Sequence, residues 1–187
     1  IMSCAADKEC FYVAGNLSLS IWAGLVPVAL FILQCVSTGM GIAVGQARKK
    51  YGITYPCLYA VPGTKGDYAP VTEETALLKE DKEHAKAESI SEEIAYKFNC
   101  IQRGHQNFLE QVTCVIPLVV LNWFTFPLLA GICGIFWALA KIGYFVGYGY
   151  FGAGGRLWGA GAYIPQLALY GITLWSAVVL FSGSDAY

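Results

Sequence analysis

Two long stretches without charged side chains dominate this sequence. Residues 11–47 contain no Asp, Glu, Lys or Arg, and residues 111–184 contain only Lys141 and Arg156. A soluble protein needs charged groups over its surface, whereas 56% of this chain is hydrophobic and only 13% is charged. This pattern excludes a soluble enzyme and a disordered chain, and a net charge of −1 offers no basic face for nucleic acid. We therefore predict an integral membrane protein that crosses the lipid bilayer several times.

The apolar stretches divide into segments of the length that a spanning helix requires, which is about 20 residues. Four segments meet this requirement: 17–46, 101–126, 128–150 and 160–182. Because the second and third are separated by a very short turn, they must be antiparallel neighbours. We predict an all-α fold, a four-helix transmembrane bundle that forms a single domain over residues 1–187.

Most of the charge lies in the loop between the first two predicted spans. Four crossings put this loop on the same side as the loop at 151–159, and nine Lys and Arg residues fall on that side. The opposite side carries only Lys8. By the positive-inside rule the loop side is the cytosol, or the matrix or stroma of an organelle.

The second half of the loop predicts a surface helix over 73–97, because charges of both signs alternate around a few apolar residues. Ser89 followed by Glu92 fits a capping box, so the second spanning helix is expected to begin near Ile90. A solvated helix is the default interpretation of this segment. A docking surface for a partner protein is the alternative.

Arg103, Asn107 and Glu110 are out of place at the entry of the second span, where they share one helical face. A charge at membrane depth costs about 2.5–3.5 kcal/mol. Arg103 and Glu110 are two turns apart, about 10 Å along the axis, so we expect that they do not neutralise each other directly. Each should instead find a partner on another helix, another subunit or a ligand.

The predicted topology brings further polar residues to the same membrane face. Tyr144 and Tyr148 lie near the end of the third span, Arg156 follows in the next loop, and Lys49 closes the first span. Together with the Arg103 face, these groups suit a small zwitterionic or anionic ligand at the level of the lipid headgroups. For the two tyrosines alone, anchoring at the membrane interface is the simpler interpretation.

The segment from Phe98 to Glu110, FNCIQRGHQNFLE, is similar to the second-helix motif of the MAPEG superfamily, the membrane-associated proteins of eicosanoid and glutathione metabolism. Supporting matches are ARKKY at 47–51, YPCLYA at 55–60 and YFVGY at 144–148. The resemblance covers all four predicted spans. It is strongest to the microsomal glutathione S-transferases of type three.

The resemblance implies a homotrimer that binds glutathione between adjacent subunits near the cytosolic face, with glutathione as co-substrate and no metal. The implied glutathione-binding residues are Lys49, Arg103, Asn107, Glu110, Tyr144 and Tyr148. The family places an arginine after the third span to stabilise the thiolate, and Arg156 is the candidate for that role here. A cation beside a thiol lowers its pKa from about 8.5 and so raises the fraction of reactive thiolate.

The implied function is a membrane-bound glutathione transferase or peroxidase. It would conjugate glutathione to lipophilic electrophiles, or reduce lipid hydroperoxides, that arrive from the bilayer. The implied location is the endoplasmic reticulum or an organellar membrane, mitochondrial or plastid.

Two departures from the family pattern keep a second interpretation open. Ala140-Lys141 stands where the family has Gly-Arg, and Lys cannot supply the bidentate fork of Arg. An acidic and basic insertion over about 66–96 separates Tyr59 from the second-helix motif, where relatives have a short loop. Because a shared architecture does not guarantee a shared chemistry, the alternative is a non-catalytic subunit of a respiratory or photosynthetic membrane complex.

Overall fold

The structure is a computed structural model that describes the backbone of residues 2–4, 10–14 and 17–19 and the complete residues 20–63 and 89–182. The chain begins with three antiparallel strands in the order β1 (Met2–Cys4), β2 (Cys10–Ala14) and β3 (Leu17–Ser20). The register places Cys4 opposite Cys10 and Tyr12 opposite Leu19. This sheet was not predicted, and it corrects the predicted start of the first span at residue 17.

Helix α1 (Leu25–Tyr51) follows the sheet after one turn of 3-10 helix, Ile21–Gly24. Ser20 begins that turn because its side chain accepts a hydrogen bond from the backbone of Trp22. The helix ends at Gly52, which has a left-handed φ of 68° that suits glycine. Three basic residues in the last turn interact favourably with the negative end of the helix dipole. The helix therefore continues to Tyr51, five residues beyond the predicted limit.

Helix α2 (Glu92–Leu121) begins at a cap two residues beyond the position that the sequence indicated. Ser91, rather than Ser89, accepts a hydrogen bond from the backbone of Ile94 at 3.3 Å. Residues 92–97 therefore belong to the same helix as the predicted second span and not to a separate surface helix. That helix ends at Leu121, five residues before the predicted limit of residue 126. Residues 64–88, which include most of the predicted insertion, lie outside the described residues.

Helix α3 (Pro127–Phe151) starts with proline at its first position, where the missing N–H costs nothing. It is followed by a 3-10 segment, Gly152–Ala162, and by helix α4 (Tyr163–Ser182). The chain reverses at Gly152, since the 3-10 segment packs against the last turns of α3 and α4 packs against α3. The indole of Trp137 on α3 donates a hydrogen bond to Gln166 on α4 at 3.2 Å.

The apolar core lies where the four helices meet, with α3 in contact with each of the other three. Phe108 of α2 and Trp137 of α3 are both fully buried, and their ring centroids are 5.4 Å apart. Leu33 of α1 and Leu169 of α4 complete the same cluster. The core thus fixes α2 against α3 at the same turns of α2 that carry Asn107 and Glu110.

A buried polar network holds the turn between α2 and α3 against α4. Asn122 is inaccessible to solvent; its amide nitrogen donates to Leu118 O and to Thr173 Oγ1, and its amide oxygen accepts from Ser176 Oγ. The Ser176 hydroxyl also shares a hydrogen bond with Thr125 at 2.7 Å. These bonds satisfy Asn122 and fix the turn opposite the polar end of the bundle.

Two helical runs of the described chain are long and apolar enough to cross a membrane, Ile21–Tyr51 and Pro127–Ser182. Large apolar side chains point outward along both, among them Phe31, Phe136 and Phe181, which are 69%, 63% and 92% exposed. A surface of this kind is typical of contact with lipid. The predicted all-α class holds for the described chain from Ile21 to Ser182, whereas the number of membrane crossings stays a prediction.

Candidate functional site

The polar groups gather at one end of the bundle, where α1 ends, α2 begins and α3 ends. An open crevice of about 340 Å³ lies there. Its lining residues are Tyr59, Tyr96, Asn99, Cys100, Arg103 and Tyr148. Of the residues predicted from the sequence, only Arg103 and Tyr148 line this crevice.

Arg103 and Glu110 form an ion pair with each other, with Nη1 and Oε1 3.1 Å apart. The prediction that two turns of helix keep them apart is therefore wrong. Their Cα atoms are separated by about 10 Å, but both side chains are long and lie on one face, so they lean together. Each side chain is 44% exposed, so the pair remains open to a ligand or to a neighbouring subunit.

Asn107, one turn beyond Arg103, pairs with a buried lysine. Lys141 of α3 is 3% exposed, and its Nζ donates to Asn107 Oδ1 at 2.7 Å. The same ammonium lies about 5 Å above the rings of Trp137 and Tyr144, at 5.3 and 5.1 Å. Because Lys141 occupies the amide oxygen, Asn107 is left to present its NH₂ group as a donor.

Tyr144 and Tyr148 are neighbours along α3, with their rings tilted by 35° and their ring centroids 5.7 Å apart. The guanidinium groups of Arg103 and Arg156 both lie within electrostatic reach of the Tyr144 phenol. Both tyrosines therefore lie on the side of α3 that faces Arg103 of α2.

Lys49 and Arg156 are exposed, and neither lines the crevice. The backbone beside Arg156 is nevertheless fixed, because Gly155 packs directly on Gly147 of α3. A Cβ atom on Gly155 would fall 1.9 Å from Gly147 O. The position of Arg156 thus follows from a contact between two glycines, although its side chain remains free of the crevice.

The model of the MAPEG family matches residues 26–177 of this chain. The match runs from the first turn of α1 into α4 and includes every helix that bounds the crevice. The chain belongs to the MAPEG family. Proteins of this family use glutathione and generally form trimers. The resemblance stated from the residues is confirmed at this level.

Four of the six residues that line the MAPEG crevice were missed as site residues. Tyr59 comes from the loop after α1, and Tyr96, Asn99 and Cys100 come from the first turns of α2. The i, i+4 and i+7 spacing that identified Arg103 extends backwards to Tyr96 and Asn99. That extension was the available signal, since residues 96, 99 and 103 share one face of α2.

The start of α2 is also tied to the chain reversal after α3. The Tyr96 hydroxyl accepts a hydrogen bond from the backbone N–H of Ala153 at 3.2 Å. Gly152, with φ of 68°, lies so close that a Cβ atom there would fall 2.5 Å from the same hydroxyl. Tyr96 therefore joins the wall of the crevice to the segment that carries Arg156.

Within residues 20–63 and 89–182, no cluster of His, Cys, Asp and Glu side chains could hold a metal ion. The polar groups of the crevice are instead three phenols, the Asn99 amide, the Cys100 thiol and the guanidinium of Arg103. Such a set suits an organic ligand with carboxylate and amide groups.

Proposed function

We propose that this MAPEG protein is a membrane-bound glutathione transferase or peroxidase. The half-exposed ion pair of Arg103 and Glu110 carries the proposal. An ion pair at this position on α2 is costly in lipid and gains most if a zwitterionic ligand completes its surroundings. Family membership supplies the ligand class, since MAPEG proteins use glutathione.

Glutathione fits the donors and acceptors of the site. Arg103 uses one N–H for Glu110 and keeps others for a carboxylate. Glu110 can accept from the ligand ammonium, and the Asn107 amide can donate to a ligand carbonyl. Tyr144 and Tyr148 would cover the tripeptide, and Lys49 would meet it from the end of α1.

Arg156 takes the role of thiolate stabiliser in this proposal. A guanidinium beside the glutathione sulfur lowers its pKa and supplies thiolate at neutral pH. In conjugation, the thiolate forms a sulfur–carbon bond while the leaving group departs with its electron pair. In peroxide reduction, two glutathione molecules become one disulfide while the hydroperoxide becomes an alcohol and water.

The proposal also includes the quaternary structure and the membrane. In this proposal the chain crosses the membrane four times and forms a homotrimer with the site at the subunit interface. The positively charged loop lies on the cytosolic, matrix or stromal side. The membrane is that of the endoplasmic reticulum, the mitochondrion or the plastid. Within the family, the type-three microsomal glutathione S-transferases are the proposed relatives.

Calorimetric titration of the purified protein with glutathione tests the proposal. We expect binding in several detergents, and we expect Arg156→Ala to abolish conjugating and peroxidase activity while the protein stays folded. Lys50→Ala is the matched control, because it removes an exposed cation elsewhere on the same side. Wild-type protein that binds no glutathione in any detergent would refute the proposal.

A second function is favoured by the internal pairing of the polar groups. Arg103 pairs with Glu110, and Asn107 pairs with Lys141, within the chain itself. Such pairing suits a non-catalytic MAPEG subunit of a respiratory or photosynthetic complex. Native gels separate the two functions, since the enzyme migrates as three protomers and the subunit migrates with a large complex.

A further inference from the structure

The loop that follows α1 is fastened to the start of α2 by one side chain. Asn99 Oδ1 accepts from Ala60 N at 2.7 Å, and Asn99 Nδ2 donates to Ala60 O at 2.9 Å. The amide thus pairs with both polar groups of a single residue, as a neighbouring strand would. Two bonds to one residue fix its position and its orientation together.

A buried arginine holds the preceding residues of the same loop. Arg48 is 7% exposed, and its guanidinium donates to Cys57 O at 2.8 Å and to Leu58 O at 3.4 Å. The rings of Tyr55 and Phe98 lie 4.4 and 5.2 Å from the same guanidinium. Charge-assisted bonds to backbone carbonyls are strong, so this part of the loop is rigid.

Tyr59 stands between these two anchors, with Leu58 held by Arg48 and Ala60 held by Asn99. Its side chain is half-buried, lines the crevice and lies beside the guanidinium of Arg103. A rigid phenol next to a guanidinium offers two kinds of donor to one oxyanion. The two groups therefore match a carboxylate.

We propose that Tyr59 is a ligand-binding residue that joins Arg103 in holding a carboxylate of glutathione, and that Asn99 is the residue that positions it. This inference rests on the proposed function and adds to it a specific contact from the loop after α1. Tyr59 touches the ligand through its hydroxyl, whereas Asn99 acts only through the loop.

Calorimetry with glutathione tests the contact. Tyr59→Phe removes the hydroxyl and keeps the ring, and we expect binding to weaken on the order of tenfold, as for a lost hydrogen bond to a charged group. Tyr150→Phe is the matched control, because Tyr150 is 83% exposed and lies outside the crevice lining. If Tyr59→Phe binds glutathione as tightly as the wild type, the assignment of Tyr59 is overturned.

A double-mutant cycle tests the positioning role. We expect Asn99→Ala to weaken glutathione binding. We expect the double variant Asn99→Ala/Tyr59→Phe to have the same affinity as whichever single variant binds glutathione less tightly. Asn99→Asp should weaken binding at least as much as Asn99→Ala, because its second carboxylate oxygen would face Ala60 O and would add negative charge beside the ligand carboxylate. Additive losses would overturn the role of Asn99. Wild-type protein that binds no glutathione would overturn the proposed function itself and this inference with it, whereas normal wild-type binding with an unchanged Tyr59→Phe refutes the inference alone.

Discussion

A methyl group added to Gly155 gives the sharpest test of how the chain reverses after α3. Gly155 and Gly147 meet backbone to backbone, which is what allows the 3-10 segment to lie against α3. A Cβ atom on Gly155 would fall 1.9 Å from Gly147 O and 2.4 Å from its carbonyl carbon. Carbon atoms in contact normally lie about 3.5–4.0 Å apart, so the two segments must separate by more than about 1 Å.

The expected cost follows from what must move. Overpacking a tight contact costs about 1–3 kcal/mol, and the upper end applies because backbone atoms cannot rotate away. The smaller conformational freedom of Ala in the unfolded chain offsets about 0.4–1 kcal/mol of this cost. We therefore expect Gly155→Ala to destabilise the protein by about 2–3 kcal/mol. For a chain of this length that is a fall in Tm of about 4–12 °C.

Thermal unfolding in detergent, followed by circular dichroism, measures the change. Gly154→Ala is the matched control, because a Cβ atom on Gly154 meets no other atom within 4 Å. That variant should unfold at the wild-type temperature or slightly above it. If Gly155→Ala and Gly154→Ala unfold at the same temperature, the glycine contact does not close the reversal.

Two further predictions concern buried polar side chains. Asn122→Ala should lower stability by about 1–3 kcal/mol, because the hydroxyls of Thr173 and Ser176 each lose one hydrogen bond. Glutathione binding should stay unchanged, and thermal unfolding and calorimetry on the same sample check both. Lys141→Met should leave the protein folded but weaken glutathione binding, because the amide of Asn107 loses the donor that orients it. Unchanged affinity in Lys141→Met would show that this lysine has only a packing role.

The helical framework was predictable because it depends on local signals. Long apolar segments with one charged residue at most located α1, α3 and α4, and the short turn before Pro127 separated α2 from α3. The ends of the helices were less accurate. The cap at Ser91 and the left-handed Gly52 depend on backbone geometry, which two competing serines or a single glycine in a sequence do not specify.

The loop contacts of the crevice could not be predicted, since they join residues that are far apart in the sequence. Asn99 and Ala60 are 39 positions apart in the sequence, and residues 64–88 between them lie outside the described residues. An asparagine near the start of a helix indicates a helix cap or a surface position as readily as a side chain that hydrogen-bonds a distant loop. Arg48 was similarly ambiguous, because a basic residue at a membrane face is usually an interfacial anchor rather than a buried support.

The pairing of Arg103 with Glu110 bears most directly on the choice between an enzyme and a structural subunit. A pair made only to neutralise charge in lipid would be expected to bury both groups, whereas here each side chain is 44% exposed beside an open crevice. A guanidinium has five N–H donors, and the pair uses one of them. The ion pair therefore orients Arg103 without saturating it. A ligand carboxylate can add to this arrangement without breaking the pair, which is why the internal contact is compatible with glutathione binding.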